Sequence, residues 1–97
     1  MARVVLAPAL TRWLPPTEGH AGGELCMQLA GASVGELLQA VFARYPSLRG
    51  YVLDEQGAVR HHVAVFVDGQ CLCDKRDLGQ AVGGDAELYV MQALSGG

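Results

Sequence analysis

The stretch 33–46, SVGELLQAVFARYP, carries the signals of a helix from its first residue to its last. Ser33, followed three residues later by Glu36, is a capping box. The hydroxyl accepts the Glu36 N–H, and the Glu36 carboxylate reaches back to the cap. Val34, Leu37, Leu38, Val41, Phe42 and Tyr45 fall at i, i+3, i+4, i+7, i+8 and i+11. They form one apolar stripe over about three turns. Pro46 ends the helix, because the residue before a proline is pushed out of the helical region. Such a stripe has to be buried against another layer, and the flanking sequence supplies strands.

Upstream, Val4 to Leu10 is aliphatic and β-branched and reads as a strand. LPPTEGHAGG (14–23) is punctuated by Pro and Gly and reads as a loop. Glu24 to Leu29, with Leu25, Met27 and Leu29 on one face, then returns as the partner strand of an antiparallel hairpin. Downstream, SLRGYVLDEQGAV (47–59) reads as loop, with a candidate short strand at Tyr51 to Leu53 and a turn at Glu55-Gln56-Gly57. His62 to Val67 alternates as a strand, Val63, Val65 and Val67 on one face and Ala64 and Phe66 on the other. Asp68-Gly69 is a tight-hairpin signal, since that turn needs positive φ at both positions. Gln70 to Cys73 returns from it. DKRDLGQAVGGD (74–85) reads as a connection with room for one helical turn, and Ala86 to Met91 as the last strand.

The order strand, strand, helix, strand, strand, strand predicts an α+β fold, one helix laid across one face of a four- or five-stranded sheet. Ninety-seven residues suffice for one core. We expect a single domain over 1–91 and a flexible tail over 92–97. The tail ends Leu94-Ser95-Gly96-Gly97, a poor way to finish a fold, because glycine loses most entropy on ordering, and a good way to finish a slender, threading terminus.

Composition narrows the function. The hydrophobic share is 51% and the net charge −3, with Lys and Arg scattered, so no basic stripe is present to track nucleic acid. Lys75-Arg76 is bracketed by Asp74 and Asp77 and reads as a solvated loop. No apolar run reaches the length of a membrane span. MARVVLAPAL (1–10) lacks a cleavage signature and reads as a strand rather than an export signal. With three cysteines, an odd count, a reduced cytoplasmic setting is expected. Cys71 and Cys73 lack the second pair a structural zinc needs, and alternation along a strand accounts for their spacing. His61 and His62, at a strand start, are expected to point to opposite faces, unsuited to one metal. Ser47 and Ser95 lack a visible His–Asp support, and Asp85 and Glu87 read as turn and strand charges rather than an acid–base pair. No catalytic residue and no metal site is expected.

With these pieces in order, the chain resembles the ubiquitin-like sulfur carriers of the β-grasp fold. These include the molybdopterin-synthase small subunit, the thiamine-pathway carrier and the carriers of cysteine and thio-metabolite biosynthesis. The resemblance rests on SVGELLQAVFARYPSLR (33–49), HVAVFVDGQ (62–70) and VGGDAELYVMQALSGG (82–97), and runs over nearly the whole chain. RWLPPTEGHAGG (12–23) and YVLDEQGAVRHH (51–62) look most like the cysteine-biosynthesis type. Two departures stand out: Asp68-Gly69 where the family often has Asn-Gly, and Gln92 where a proline often stiffens the tail.

The resemblance implies a non-enzymatic carrier that binds no cofactor of its own. An adenylating enzyme of the ubiquitin-activating, E1-like type would spend ATP to adenylate the Gly97 carboxylate. A sulfur donor would convert the adenylate to a thiocarboxylate, and a downstream synthase would accept the sulfur. It also implies the alternatives of a molybdopterin-synthase small subunit and of a modifier attached to target lysines, beside a plain interaction module. Neither nucleic acid nor membrane is an expected partner. Leu94, Ser95 and Gly96 would thread the partner's active site, Leu94 either setting register at its mouth or capping the last strand. Four extended residues reach at most about 13–14 Å. If Val63, Val65 and Val67 face the helix, then Phe66, Tyr89 and Met91 share the outer face and form a docking patch; a one-residue slip of parity would bury them instead.

Overall fold

The computed structural model describes residues 1–11, 23–72 and 74–92. Among them, five strands form one sheet: β1 (Ala2–Leu6), β2 (Leu25–Leu29), β3 (Val63–Val67), β4 (Gln70–Cys71) and β5 (Glu87–Gln92). Their order is β2-β1-β5-β3-β4. β1 and β5 run parallel at the centre, and every other pairing is antiparallel. The helices are α1 (Pro8–Thr11), α2 (Val34–Arg44) and α3 (Arg49–Val52), with a 3₁₀ turn at Pro46–Leu48.

α2 is the expected helix. Ser33 Oγ accepts the Glu36 N–H at 3.2 Å. The Glu36 carboxylate reaches one residue further back than a simple capping box, accepting the Ala32 N–H at 3.1 Å. The next orphan donors at this end are taken by the chain entering β5: Val34 N–H donates to Gln80 O at 3.0 Å and Gly35 N–H to Leu78 O at 2.7 Å. In return, Val82 N–H donates to Ala32 O. Segment 74–85 is therefore an irregular strap across the start of α2 rather than a helical turn.

Val34, Leu37, Leu38, Val41 and Phe42 are all buried. They share one core with Ala2, Val4 and Leu6 of β1, Met27 and Leu29 of β2, Val63, Val65 and Val67 of β3, and Leu88 and Val90 of β5. Burying about a dozen aliphatic side chains at ~1.5–3 kcal/mol each is the main force holding helix to sheet.

Several boundaries differ from the sequence expectation. Val4 to Leu10 is not one strand. Pairing ends at Leu6, and Pro8, which lacks an N–H and is suited to the first helical position, opens α1. Thr11 closes that turn, its hydroxyl in reach of Pro8 O at 3.2 Å and Gly23 O at 2.6 Å. Tyr51 and Val52 belong to α3 rather than to a strand, and Leu53 makes one isolated bridge, to Val59. β3 begins at Val63, because His61 and His62 form a turn. β4 stops at Cys71. β5 runs one residue later than expected, so Gln92, assigned by sequence to the tail, pairs with Val63. Loop residues 12–22, Cys73 and tail residues 93–97 lie outside the described residues.

The Asp68-Gly69 hairpin is present, with φ of 50° and 83°. Asp68 also does something sequence does not disclose. Its Oδ1 accepts the Glu87 N–H at 2.9 Å while its own N–H donates to Glu87 O at 2.9 Å. The hairpin tip is thereby tied to the start of β5.

Candidate functional site

Two features of this fold bear on function: the sheet face turned away from α2, and the place where the chain leaves β5. Alternation sends every second residue of each strand to the outer face. Register then aligns one row across all five strands: Cys26 opposite Val5, Val5 opposite Tyr89, Tyr89 opposite Phe66, and Phe66 opposite Cys71. With strands ~4.8 Å apart the row is about 19 Å long. Met91 stands opposite Ala64 in the neighbouring row.

The structure therefore places Phe66, Tyr89 and Met91 together on the outer face, with Val63, Val65, Val67, Leu88 and Val90 turned to the core. All three are half-buried rather than fully exposed. Val5, between Cys26 and Tyr89 in the row, is 2% exposed although it faces away from the helix. Phe66 and Tyr89 present their remaining surface between the two edge cysteines, both of them free and exposed.

A polar row borders the apolar one. Arg3 stands opposite Gln28 and Glu87, and its Nη1 lies 3.6 Å from Glu87 Oε2. Both side chains are about half exposed, so the pair adds little to stability. Arg3 Nη2 also lies 3.7 Å from Cys26 Sγ, which in turn lies 3.8 Å from Glu24 Oε1. The outer face thus carries a half-buried aromatic pair with a charged row along one side.

β5 is internal, between β1 and β3, and its last residue, Gln92, leaves the sheet beside Val63. Ala7, at the root of α1, donates its N–H to Val90 O at 2.9 Å, so the exit is braced on both sides. Leu94, Ser95, Gly96 and Gly97 lie outside the described residues.

Two features of this face and its surroundings are not legible in the sequence. Cys26 and Cys71 flank the aromatic pair, which only strand order reveals. The rings of His61 and His62, expected on opposite faces, lie edge to face with centroids 5.8 Å apart, because a turn rather than a strand carries them. Among the described residues no group of three or more His, Cys, Asp or Glu could hold a metal ion, and no helix is long and apolar enough to cross a membrane.

No protein-family model matches the sequence, and no curated protein matches it either. Solved structures do match by shape. Small archaeal modifier protein 1 (SAMP1) from Haloferax volcanii superposes with a TM-score of 0.71 at 24% identity, covering 99% of this chain and 98% of that one. The Amycolatopsis orientalis BexX/CysO complex contains a chain matching with a TM-score of 0.70 at 19% identity, over 97% of this chain and 99% of that one. Mycobacterium tuberculosis CysO gives 0.71 at 16% identity, over 94% and 99%. With its central parallel pair, its helix across one face and these neighbours over nearly its full length, the chain has the ubiquitin-like β-grasp fold.

Proposed function

We propose that this protein is a sulfur carrier acting through a C-terminal thiocarboxylate on Gly97. The observation that carries the reading is a conjunction. The fold is shared end to end with SAMP1 and CysO, and the internal strand β5 leads, four and five residues after Gln92, to Gly96 and Gly97.

In this reading an E1-like activating enzyme binds ATP and the carrier's tail. The Gly97 carboxylate attacks the α-phosphorus, forming an acyl adenylate and releasing pyrophosphate. A sulfur donor delivers sulfide sulfur to the acyl carbon; the C–S bond forms as the C–O bond to AMP breaks. The thiocarboxylate is then the sulfide source for a downstream synthase. The carrier contributes no acid, base or metal. Gly96 and Gly97 contribute slenderness, since a Cβ at either would widen the chain where it threads. Ser95 and Leu94 span the distance to the folded body, and Phe66, Tyr89 and Met91 dock the partner's surface. A role in cysteine or thio-metabolite synthesis accords with the likeness to CysO, which has been captured in complex with BexX.

Intact mass of the protein isolated from its own host tests the reading. Sulfur in place of one oxygen at Gly97 makes the chain about 16 Da heavier. Fragmentation should place the gain on Gly97 rather than on Cys26, Cys71 or Cys73. An unmodified Gly97 carboxylate under sulfur-replete growth, with the activating enzyme present, overturns it.

The likeness to SAMP1, a modifier by name, supports a second reading: the same adenylate ends in an isopeptide bond to a target lysine. Lysine-linked adducts of Gly97 in cell lysate, with no thiocarboxylate, would establish that outcome.

A further inference from the structure

Away from the outer face and the tail, a cleft of about 370 Å³ opens between the segment 54–62 and the turn at 74–76. Arg60, His61, His62, Lys75 and Arg76 line it. Three of the seven Lys and Arg residues of a chain with net charge −3 thus converge on one cleft, joined by two of its three histidines. By sequence alone Lys75-Arg76 reads as a solvated loop between acids. The fold brings it against Arg60 through a backbone bond, Val59 N–H to Lys75 O at 2.9 Å.

The carboxylates of Asp54 and Asp74 keep their charge but are turned to the backbone. Asp54 Oδ1, at the cleft wall, accepts the N–H groups of Gln56 and Ala58 at 2.8 and 3.0 Å. Asp74 Oδ1 accepts the Arg76 N–H at 2.9 Å. The ion pair found among the described residues is Arg3–Glu87, so no carboxylate pairs with a cleft cation there.

Two of the cations act as framework. Lys75 Nζ donates to the carbonyls of Arg60 and His61 at 3.2 and 3.0 Å, and Arg60 Nε donates to Gly50 O at 2.9 Å. Their charge remains in the cleft, and the terminal nitrogens of Arg60 remain available as donors. The His62 ring is held between two edge-to-face contacts, with Tyr51 at 5.0 Å and His61 at 5.8 Å. The lining carries the positive charges of Arg60, Lys75 and Arg76 against the negative charge of Asp54, and with two imidazoles beside them these cations form a receptor for a compact anion.

We propose that this cleft binds a tetrahedral oxyanion of the phosphate class, as the free ion or as a monoester on a larger molecule, with Arg76, His61 and His62 as donors and Arg60 and Lys75 setting the framework and field. Binding is coupled to protonation. Partial burial, then the coulombic influence of His61 and the positive charges of Arg60 and Lys75, hold His62 below the ordinary histidine range. An anion in the cleft opposes the coulombic part of that shift. Protonation and anion binding therefore favour one another, and affinity rises as pH falls.

The test is a nuclear magnetic resonance titration of the full chain with sodium sulfate, inorganic phosphate and phosphoserine, each against sodium chloride at equal ionic strength. Sulfate keeps its charge between about pH 7.5 and about pH 6, so any pH dependence in that arm belongs to the protein. Saturable shifts confined to 54–62 and 74–76 are expected, with the His62 titration midpoint moving upward in sulfate. Arg76→Ala should weaken binding about tenfold while leaving the rest of the spectrum in place. Phosphoserine binding more tightly than inorganic phosphate supports a monoester ligand; equal binding supports the free ion. Shifts that never saturate, that chloride reproduces, or that Arg76→Ala leaves intact overturn the proposal.

Discussion

Phe66 of β3 lies directly opposite Tyr89 of β5 on the sheet face turned away from α2, at the centre of a row that runs from Cys26 to Cys71. Truncating either ring should separate folding from docking. Phe66→Ala or Tyr89→Ala is expected to cost about 0.5–1.5 kcal/mol of stability, from the lost cross-strand pair. Affinity for the activating enzyme should fall about tenfold or more, as when a central interface anchor is removed. Urea unfolding and calorimetric titration read the two quantities independently. Affinity unchanged in both variants would move the docking surface elsewhere.

Gly35 sits in the first turn of α2, where alanine would ordinarily raise helix propensity by about 1 kcal/mol. Here a Cβ would lie 3.0 Å from Leu78 O, the same carbonyl that accepts the Gly35 N–H at 2.7 Å. The strap over α2 would have to move away from a bond it makes. Gly35→Ala is therefore expected to lower stability by about 1–2 kcal/mol net. Chemical denaturation checks the sign, and a stabilised variant would mean that the strap yields freely.

Asp68 combines a left-handed backbone with a side-chain acceptor for Glu87 N–H. Asp68→Ala should lose both advantages and cost about 1–3 kcal/mol, since it leaves a β5 donor unmatched and a Cβ residue strained at positive φ. Asp68→Asn should restore most of the loss, because an amide oxygen accepts the same bond and Asn tolerates the same conformation. Equal losses in both variants would show that carboxylate charge, rather than geometry, matters at this corner.

His62 gives stability a pH dependence with a definite sign. Burial, the coulombic influence of His61 and the positive charges of Arg60 and Lys75 lower its folded-state value below the ordinary 6.5. Between that lowered value and 6.5 the unfolded chain binds more protons than the folded one, so stability rises with pH there. The contribution is complete above 6.5 and is lost as pH falls through the folded value. Thermal midpoints measured from neutral to mildly acidic pH should decline, and His62→Gln should flatten that decline. A slope unchanged in His62→Gln would assign it to other groups.

Much of this protein was legible because its signals are local. The Ser33–Glu36 cap, the stripe from Val34 to Phe42 and the Asp68-Gly69 turn each act within a few residues and survive into the structure. The alternation in β3 and β5 was legible for the same reason, and with it the face that carries Phe66, Tyr89 and Met91. Pro8 is also a local signal, for a helix start, within a stretch whose composition is strand-like.

Local signals could not determine which strands become neighbours. The parallel pairing of β1 with β5 joins residues more than eighty positions apart, and it brings the β2–β1 and β5–β3–β4 parts of the row from Cys26 to Cys71 together. The strap of 74–85 stays irregular because its carbonyls satisfy the first N–H groups of α2, a demand set by a distant element. The cleft of Arg60, His62 and Arg76 depends in the same way on one long-range backbone bond between Val59 and Lys75. Elements whose hydrogen bonds close within a turn or a hairpin are readable from a few neighbouring residues. Long-range packing sets the outcome wherever a donor's partner, or a charge's neighbour, arrives from far along the chain.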